Sequence, residues 1–153
     1  MKSREDIYKI TSIVLLLDQF IKLLINNLMK LGQEIEVIPN FFSLLYVKNT
    51  GAAFSILRDS TLLLIIISVL IIIILDKEIK KQKSFTKLNT LALGMIMGGI
   101  FGNLIDRILH HGVIDYLSFR LFNHSFPIFN LADIGITVGV ALFIINMFIE
   151  KKR

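Results

Sequence analysis

Two aspartates, Asp115 and Asp133, are the residues through which this chain can best do chemistry. Two carboxyl groups held close resist double ionisation and share a proton. The ionised member takes a proton from water. The protonated member polarises a scissile carbonyl and later protonates the leaving amine. Competing chemistries lack their residues. There is no cysteine, hence no catalytic thiol or thiolate metal site, and no G-x-S-x-G elbow. A serine–lysine dyad would pair Ser43 or Ser55 with Lys22 or Lys48, and nothing in their spacing recommends it. His110-His111 reads as an exposed loop pair, with no third ligand and no H-E-x-x-H, so neither a metal nor a cofactor is expected.

Such a pair needs elements to hold it, and the composition says of what kind. The chain has 153 residues, room for one domain, and is 54% hydrophobic. Its mean hydropathy is +0.71. The apolar residues fall in long runs, as in membrane proteins. Four spans are expected, at residues 7–28, 61–75, 88–109 and 131–149. The second covers only about 22 Å at the helical rise, so residues 52–57, or snorkelling from Lys77, would complete it. The expected fold is a mainly α four-transmembrane-helix bundle. Residues 32–59, with short strand-like runs broken by Pro39-Asn40 and Asn49-Thr50-Gly51, predict a small extracytoplasmic β-sheet between the first two helices. Residues 110–129 join spans three and four.

Lysine and arginine orient the bundle. Lys2, Arg4 and Lys9 precede span one, Lys77, Lys80, Lys81, Lys83 and Lys87 fill the loop after span two, and Lys151, Lys152 and Arg153 end the chain. The opposite side holds Lys30, Lys48, Arg58, Arg107 and Arg120. Both termini are therefore expected in the cytoplasm, and the net charge of +5 is a topology signal rather than a nucleic-acid footprint. Asp18 and Lys22 interrupt the first apolar stretch and no small-x-small site follows, so it reads as a retained helix, not a signal peptide.

A charge at the bilayer centre costs roughly 2.5–3.5 kcal/mol on insertion scales. Asp18, Lys22, Asn103, Asp106, Arg107, Asp115, Asn130 and Asp133 all map to one depth, the outer interface, while the cytoplasmic halves are almost purely apolar. A transmembrane ion path would distribute polar groups through the thickness, so this asymmetry favours a site over a channel. Each feature has a second reading. Asp18 and Lys22, at i and i+4, can be a structural ion pair. Asn130 and Asp133 can simply cap a helix. Asp106 and Arg107 can be an interfacial pair. Gly94, Gly98 and Gly102 form a small-xxx-small packing stripe. A proton-coupled transporter using Asp18, and an assembly factor bound through the glycine stripe, stay open as alternatives.

Five blocks in this chain then match a known family in order. They are Asp18-Gln19-Phe20-Ile21-Lys22 (D-Q-x-x-K), Asn49-Thr50-Gly51-Ala52-Ala53-Phe54 (N-x-G-A-A-F), the run from Gly98 to Arg107 (G-G-x-x-G-N-x-x-D-R), Val113-Ile114-Asp115-Tyr116 (V-x-D-F) and Phe129-Asn130-Leu131-Ala132-Asp133 (F-N-x-A-D). Tyr116 stands where the family usually has phenylalanine. The chain thus resembles lipoprotein signal peptidase, signal peptidase II, along nearly its whole length. The resemblance implies an aspartic endopeptidase of the bacterial cytoplasmic membrane that cuts prolipoproteins before a diacylglyceryl-modified cysteine. It implies Asp115 and Asp133 as the catalytic pair. Asn49, Gly51, Asn103, Arg107, Asn130 and Ala132 would line the substrate site, with Asp18, Lys22 and Asp106 in support. It implies no metal, inhibition by globomycin-type cyclic peptides, and contact with membrane lipids. Residues 32–59 would form the family's β-cradle and neighbouring arm. The expected state is a monomer.

Overall fold

A computed structural model of the protein describes residues 3–51, 60–121 and 124–151. Its elements run α1 (Arg4–Leu28), β1 (Glu34–Ile38), β2 (Phe42–Asn49), α2 (Thr61–Lys81), α3 (Lys87–His110), β3 (Val113–Leu121), β4 (His124–Ser125) and α4 (Leu131–Lys151). The chain is mainly helical with one small antiparallel sheet. Among the described residues two helices, α3 and α4, are long and apolar enough to cross a membrane by length and composition.

The helices follow the apolar runs, with one correction. The second does not stop at Leu75 but continues to Lys81, 21 residues or about 31 Å. The apolar pattern ends there, yet the charged turn that follows pairs within itself, Lys80 Nζ to Asp76 at 2.7 Å and Lys81 Nζ to Glu78. Lysines in the last turn also suit the negative helix end. This extension adds length at the Lys77 end, one of the two ends from which completion was expected. Residues 52–57, invoked to complete it, and the stretch 52–59 of the expected outer sheet lie outside the described residues. Tyr8 on α1 donates to Asp76 Oδ1 at 2.7 Å and fastens α1 to α2.

The central helix is α3, with α1 and α4 packed against it and α2 leaning on it. Its small residues set the spacing. A Cβ on Gly94 would meet Ile10 Cβ at 2.6 Å, and one on Gly98 would meet Val14 Cβ at 2.7 Å. One on Gly102 would strike the Asp18 carboxylate. The stripe therefore faces α1 and is consumed in packing it, as the small-xxx-small reading predicts. On the other side a Cβ on Gly99 would run into the Ala132 carbonyl of α4, and one on Gly139 would lie 2.8 Å from the Ala92 carbonyl. These contacts let three backbones approach closely.

The sheet is larger than expected. It has four strands in the order β1-β2-β3-β4, so residues 110–129, expected to join spans three and four as more than a simple turn, contribute β3 and β4 to it. The physical cause is the run Val113-Ile114-Asp115-Tyr116, buried throughout, whose apolar, β-branched members pair with the edge of β2. His111 ends α3 in the left-handed conformation, at φ 55°, with its N–H on the Arg107 carbonyl, and turns the chain into β3. Gly112 follows, and a Cβ there would stand 3.0 Å from Lys48 Cγ and 3.1 Å from the Asn49 carbonyl. Tyr46 of β2 donates to Asn26 Oδ1 at 2.6 Å and ties the sheet to α1.

Two apolar clusters bracket the molecule. Ile7, Ile79, Phe85, Leu93 and Met97 form one, and Ile25, Met29, Tyr46, Ile114 and Tyr116 the other. Between them lies a layer of buried polar side chains.

Candidate active site

That polar layer is made where α1, α3, the start of α4 and the β2–β3 pair meet. Strand register places Asp115. Val47 sits opposite Asp115 and Asn49 opposite Val113, so Asn49 and Asp115 share a face as diagonal neighbours. The Asn49 amide donates to Asp115 Oδ2 at 3.0 Å. Its own Oδ1 accepts the Gly51 N–H at 2.9 Å, closing a local turn.

Helix capping places Asp133. Asn130 is the N-cap of α4, and its Oδ1 accepts the Asp133 N–H at 2.9 Å. Asp133 Oδ2 accepts the Asn130 N–H at 3.2 Å in return, which makes a reciprocal capping box. Asp133 Oδ1 accepts from the Asn103 amide at 2.7 Å. Asn130, fully buried, also donates to Asp115 Oδ1 at 2.6 Å and to Asn103 Oδ1 at 3.2 Å. One residue thus bonds both aspartates, and the capping reading of Asn130 and Asp133 holds together with their convergence on Asp115.

Behind this pair sits a sealed charge cluster. Lys22 Nζ lies 2.8 Å from Asp18 Oδ2 and 2.9 Å from Asp106 Oδ2, and donates to Asn103 Oδ1 at 3.1 Å. Asp18 Oδ1 accepts the Ala132 N–H at 2.9 Å, and Asp106 Oδ2 accepts the Ile114 N–H at 3.0 Å. The ion pair expected from i, i+4 spacing is therefore a triad whose carboxylates anchor α4 and β3. Two carboxylates on one ammonium would leave excess negative charge, and the backbone N–H groups and the positive end of α4 offset it. Asp18, Lys22 and Asp106 have at most 2% of their surface exposed and stand behind the aspartate pair.

The pair itself faces a cavity of about 760 Å³. Asn49, Gly51, Asn103, Arg107, Asp115 and Asp133 contribute to its wall, so six of the residues named from sequence meet there. Ala132 and Asn130 are buried just behind it. Beyond the aspartates the wall becomes apolar, with Ile71 of α2, Ile100 of α3 and Ile136 of α4. Arg107 lies within electrostatic reach of Asp133, Asp115 and Asp106, and its Nη1 donates to the Asn103 carbonyl at 3.3 Å. Burial first, and the neighbouring Asp133 second, push the Asp115 carboxyl up to about 7. Asp115 thus holds its proton more tightly than an ordinary carboxyl group does.

Two contributors appear in the sequence motifs but were given no role there. Gln19, beside Asp18, donates its amide to Asp106 Oδ1 at 3.0 Å and lies 3.2 Å from the Gly102 carbonyl, binding α1 to α3. An amide inside an apolar span was its signal. Tyr116 accepts the Leu131 N–H on its hydroxyl at 3.2 Å, and its signal was the hydroxyl added at a buried aromatic position.

Comparison with known proteins gives a consistent result. A family model described as signal peptidase (SPase) II matches residues 10–149. A lipoprotein signal peptidase of Halothermothrix orenii is 42% identical over 95% of this chain and 97% of its own. One of Listeria monocytogenes serotype 4a is 39% identical over 95% of each chain. Among solved structures, a bacterial membrane enzyme obtained by the in meso method at 2.3 Å resolution superposes with a TM-score of 0.86. The two are 35% identical over 93% of this chain and 87% of that one.

Proposed function

The chain belongs to the signal peptidase II family, and from that premise we propose that Asp115 and Asp133 are the catalytic pair of an aspartic endopeptidase. The chain is a lipoprotein signal peptidase acting on prolipoproteins. The observation that carries the dyad is the bridge through Asn130, which bonds both carboxyl groups at the wall of one cavity.

The roles divide by environment. Asp133 stands in the first turn of α4, where negative charge is favoured, with Arg107 nearby. It takes the proton from the attacking water. Asp115, buried and held by the Asn49 and Asn130 amides, keeps its proton, polarises the scissile carbonyl and then protonates the leaving amine. Arg107 holds substrate backbone or carbonyl groups with fixed donors, and the small residue Gly51 in the cavity wall lets the lipidated cysteine approach, while Ala132 supports the site from behind that wall. Apolar walls from Ile71, Ile100 and Ile136 suit the signal helix, while the diacylglyceryl chains lie in the bilayer.

All four helices span the membrane in this reading. Exposed apolar side chains along α1 and α2, such as Leu16 and Leu62, favour lipid contact. Both termini are cytoplasmic, and the sheet and aspartates lie at the outer face, where water is nearest. The protein acts as a monomer on its lipid-modified substrates. The transporter alternative gains no support from Asp18, whose two oxygens are committed to Lys22 and the Ala132 N–H.

The test is incubation of the purified protein with a diacylglyceryl-modified precursor peptide. Cleavage falls immediately before the modified cysteine and stops with a globomycin-type cyclic peptide; cleavage that ignores the inhibitor, or no cleavage, overturns the reading. The pH profile carries a second expectation. The Asp115 acid function is complete below its raised value and is lost as pH rises through about 7, so kcat/KM falls on the alkaline side of that point. A rate that stays level well into the alkaline range would remove Asp115 from the acid role.

A further inference from the structure

A helix N-terminus leaves its first N–H groups without intrahelical partners, and where α4 begins each has found a separate acceptor. The Leu131 N–H goes to the Tyr116 hydroxyl at 3.2 Å, the Ala132 N–H to Asp18 Oδ1 at 2.9 Å and the Asp133 N–H to Asn130 Oδ1 at 2.9 Å. The Ile134 N–H reaches the Asn130 carbonyl at 3.3 Å and starts the helical ladder. Three of the four acceptors belong to residues already placed in the site. The fourth belongs to Tyr116, so far given only this one bond.

We propose that Tyr116 is a positioning residue, whose buried hydroxyl holds the first turn of α4 and so fixes Asp133 relative to Asp115. The inference rests on the assignment of both aspartates to catalysis.

The phenol is itself rigidly placed. Only 3% of Tyr116 is exposed, and its ring belongs to the cluster of Ile25, Met29, Tyr46 and Ile114. Its backbone N–H and that of Leu117 both donate to the Phe129 carbonyl, at 3.1 and 2.8 Å, and the Phe129 N–H returns to the Leu117 carbonyl at 3.2 Å. Strand β3 is therefore stitched to the residue just before the N-cap, and the hydroxyl extends that seam one residue into α4. Asp115 is the neighbour of Tyr116 on the strand, and Asp133 lies two residues beyond the N–H the hydroxyl holds. The seam thus spans both aspartates from outside the reacting atoms. A phenylalanine ring would fill the same space but leave the Leu131 N–H without this acceptor. Burial pushes the phenol up to about 12, so its hydroxyl stays un-ionised where it accepts the Leu131 N–H.

Tyr116→Phe separates positioning from packing because it removes the hydroxyl alone. Expected are a kcat lower by about tenfold with KM for the lipidated precursor unchanged. The alkaline limb of the pH profile also moves to lower pH by roughly half a unit, because Asp115 loses part of its coupling to Asp133. A variant with the wild-type kcat, or one with a reduced kcat and an unmoved limb, overturns the inference, whatever its melting temperature. Asp133→Asn is assayed in parallel. If it still cuts, the dyad assignment fails; if it is inactive while Tyr116→Phe matches the wild type, only the role of Tyr116 fails.

Discussion

Asp133→Asn lowers turnover of a lipidated precursor by roughly 10³–10⁴-fold, and Asp115→Asn does the same, because each removes one half of the acid–base pair. An amide neither takes a proton from water nor gives one to the leaving amine. The structural cost is small by comparison. In Asp133→Asn the new amide would keep an oxygen for the Asn103 side chain and would turn its NH2 toward the Asn130 N–H, losing one arm of the capping box, about 1 kcal/mol. In Asp115→Asn a single oxygen would serve two amide donors, those of Asn49 and Asn130, and one of the bonds would be lost. Both variants are therefore expected to insert, purify and melt near the wild type while failing to cut. Single-turnover cleavage by quantified, folded enzyme is the measurement. Near-normal rates in either variant would remove the pair from the mechanism.

Lys22→Met has the largest expected effect on stability. Lys22 is 2% exposed and is the cation that contacts both Asp18 and Asp106. Removing it leaves two buried carboxylates without their charge partner, a loss of about 3–5 kcal/mol. Those carboxylates hold the Ala132 and Ile114 N–H groups, so the damage reaches the start of α4 and the start of β3 together. Asn103 also loses a donor to its Oδ1, which loosens the amide that holds Asp133. Thermal unfolding in detergent micelles reads the loss. Adding Asp18→Asn to Lys22→Met recovers part of it, because one uncompensated charge disappears and the amide oxygen still accepts the Ala132 N–H. A Lys22→Met protein that melts like the wild type would show that the triad contributes nothing net.

The placement of costly residues was legible in the sequence alone. Charged and amide side chains in apolar spans carry a penalty that depends mainly on depth, and depth follows from position along a helix. Asp18, Asn103, Asp106 and Asp133 could therefore be set at one level by counting residues, and the motif order supplied the family. The glycine stripe on α3 was equally legible, since a four-residue repeat of small residues has one main use, close packing.

Other features depended on partners far apart in the chain. The lysine-rich end of α2 looked like loop because its helical form relies on local ion pairs rather than on an apolar face. Strand β3 was hidden because Asp115 and Tyr116 break any simple alternation, and it exists by pairing with β2 more than sixty residues earlier, as the separation of 66 between Asn49 and Asp115 records. The Asp18 contact with Ala132 spans 114 residues, and only the packing of α1 and α4 on α3 creates it. From the sequence alone Asp115 and Asp133 could be expected at one end of the bundle, because the long apolar runs set where the helices before and after them end and begin. That Asn130 bonds both of them, and that Asp18 and Tyr116 hold the helix which carries Asp133, was decided by tertiary structure. Buried hydrogen-bond donors must find acceptors, and the packed helices determine which acceptors lie within reach.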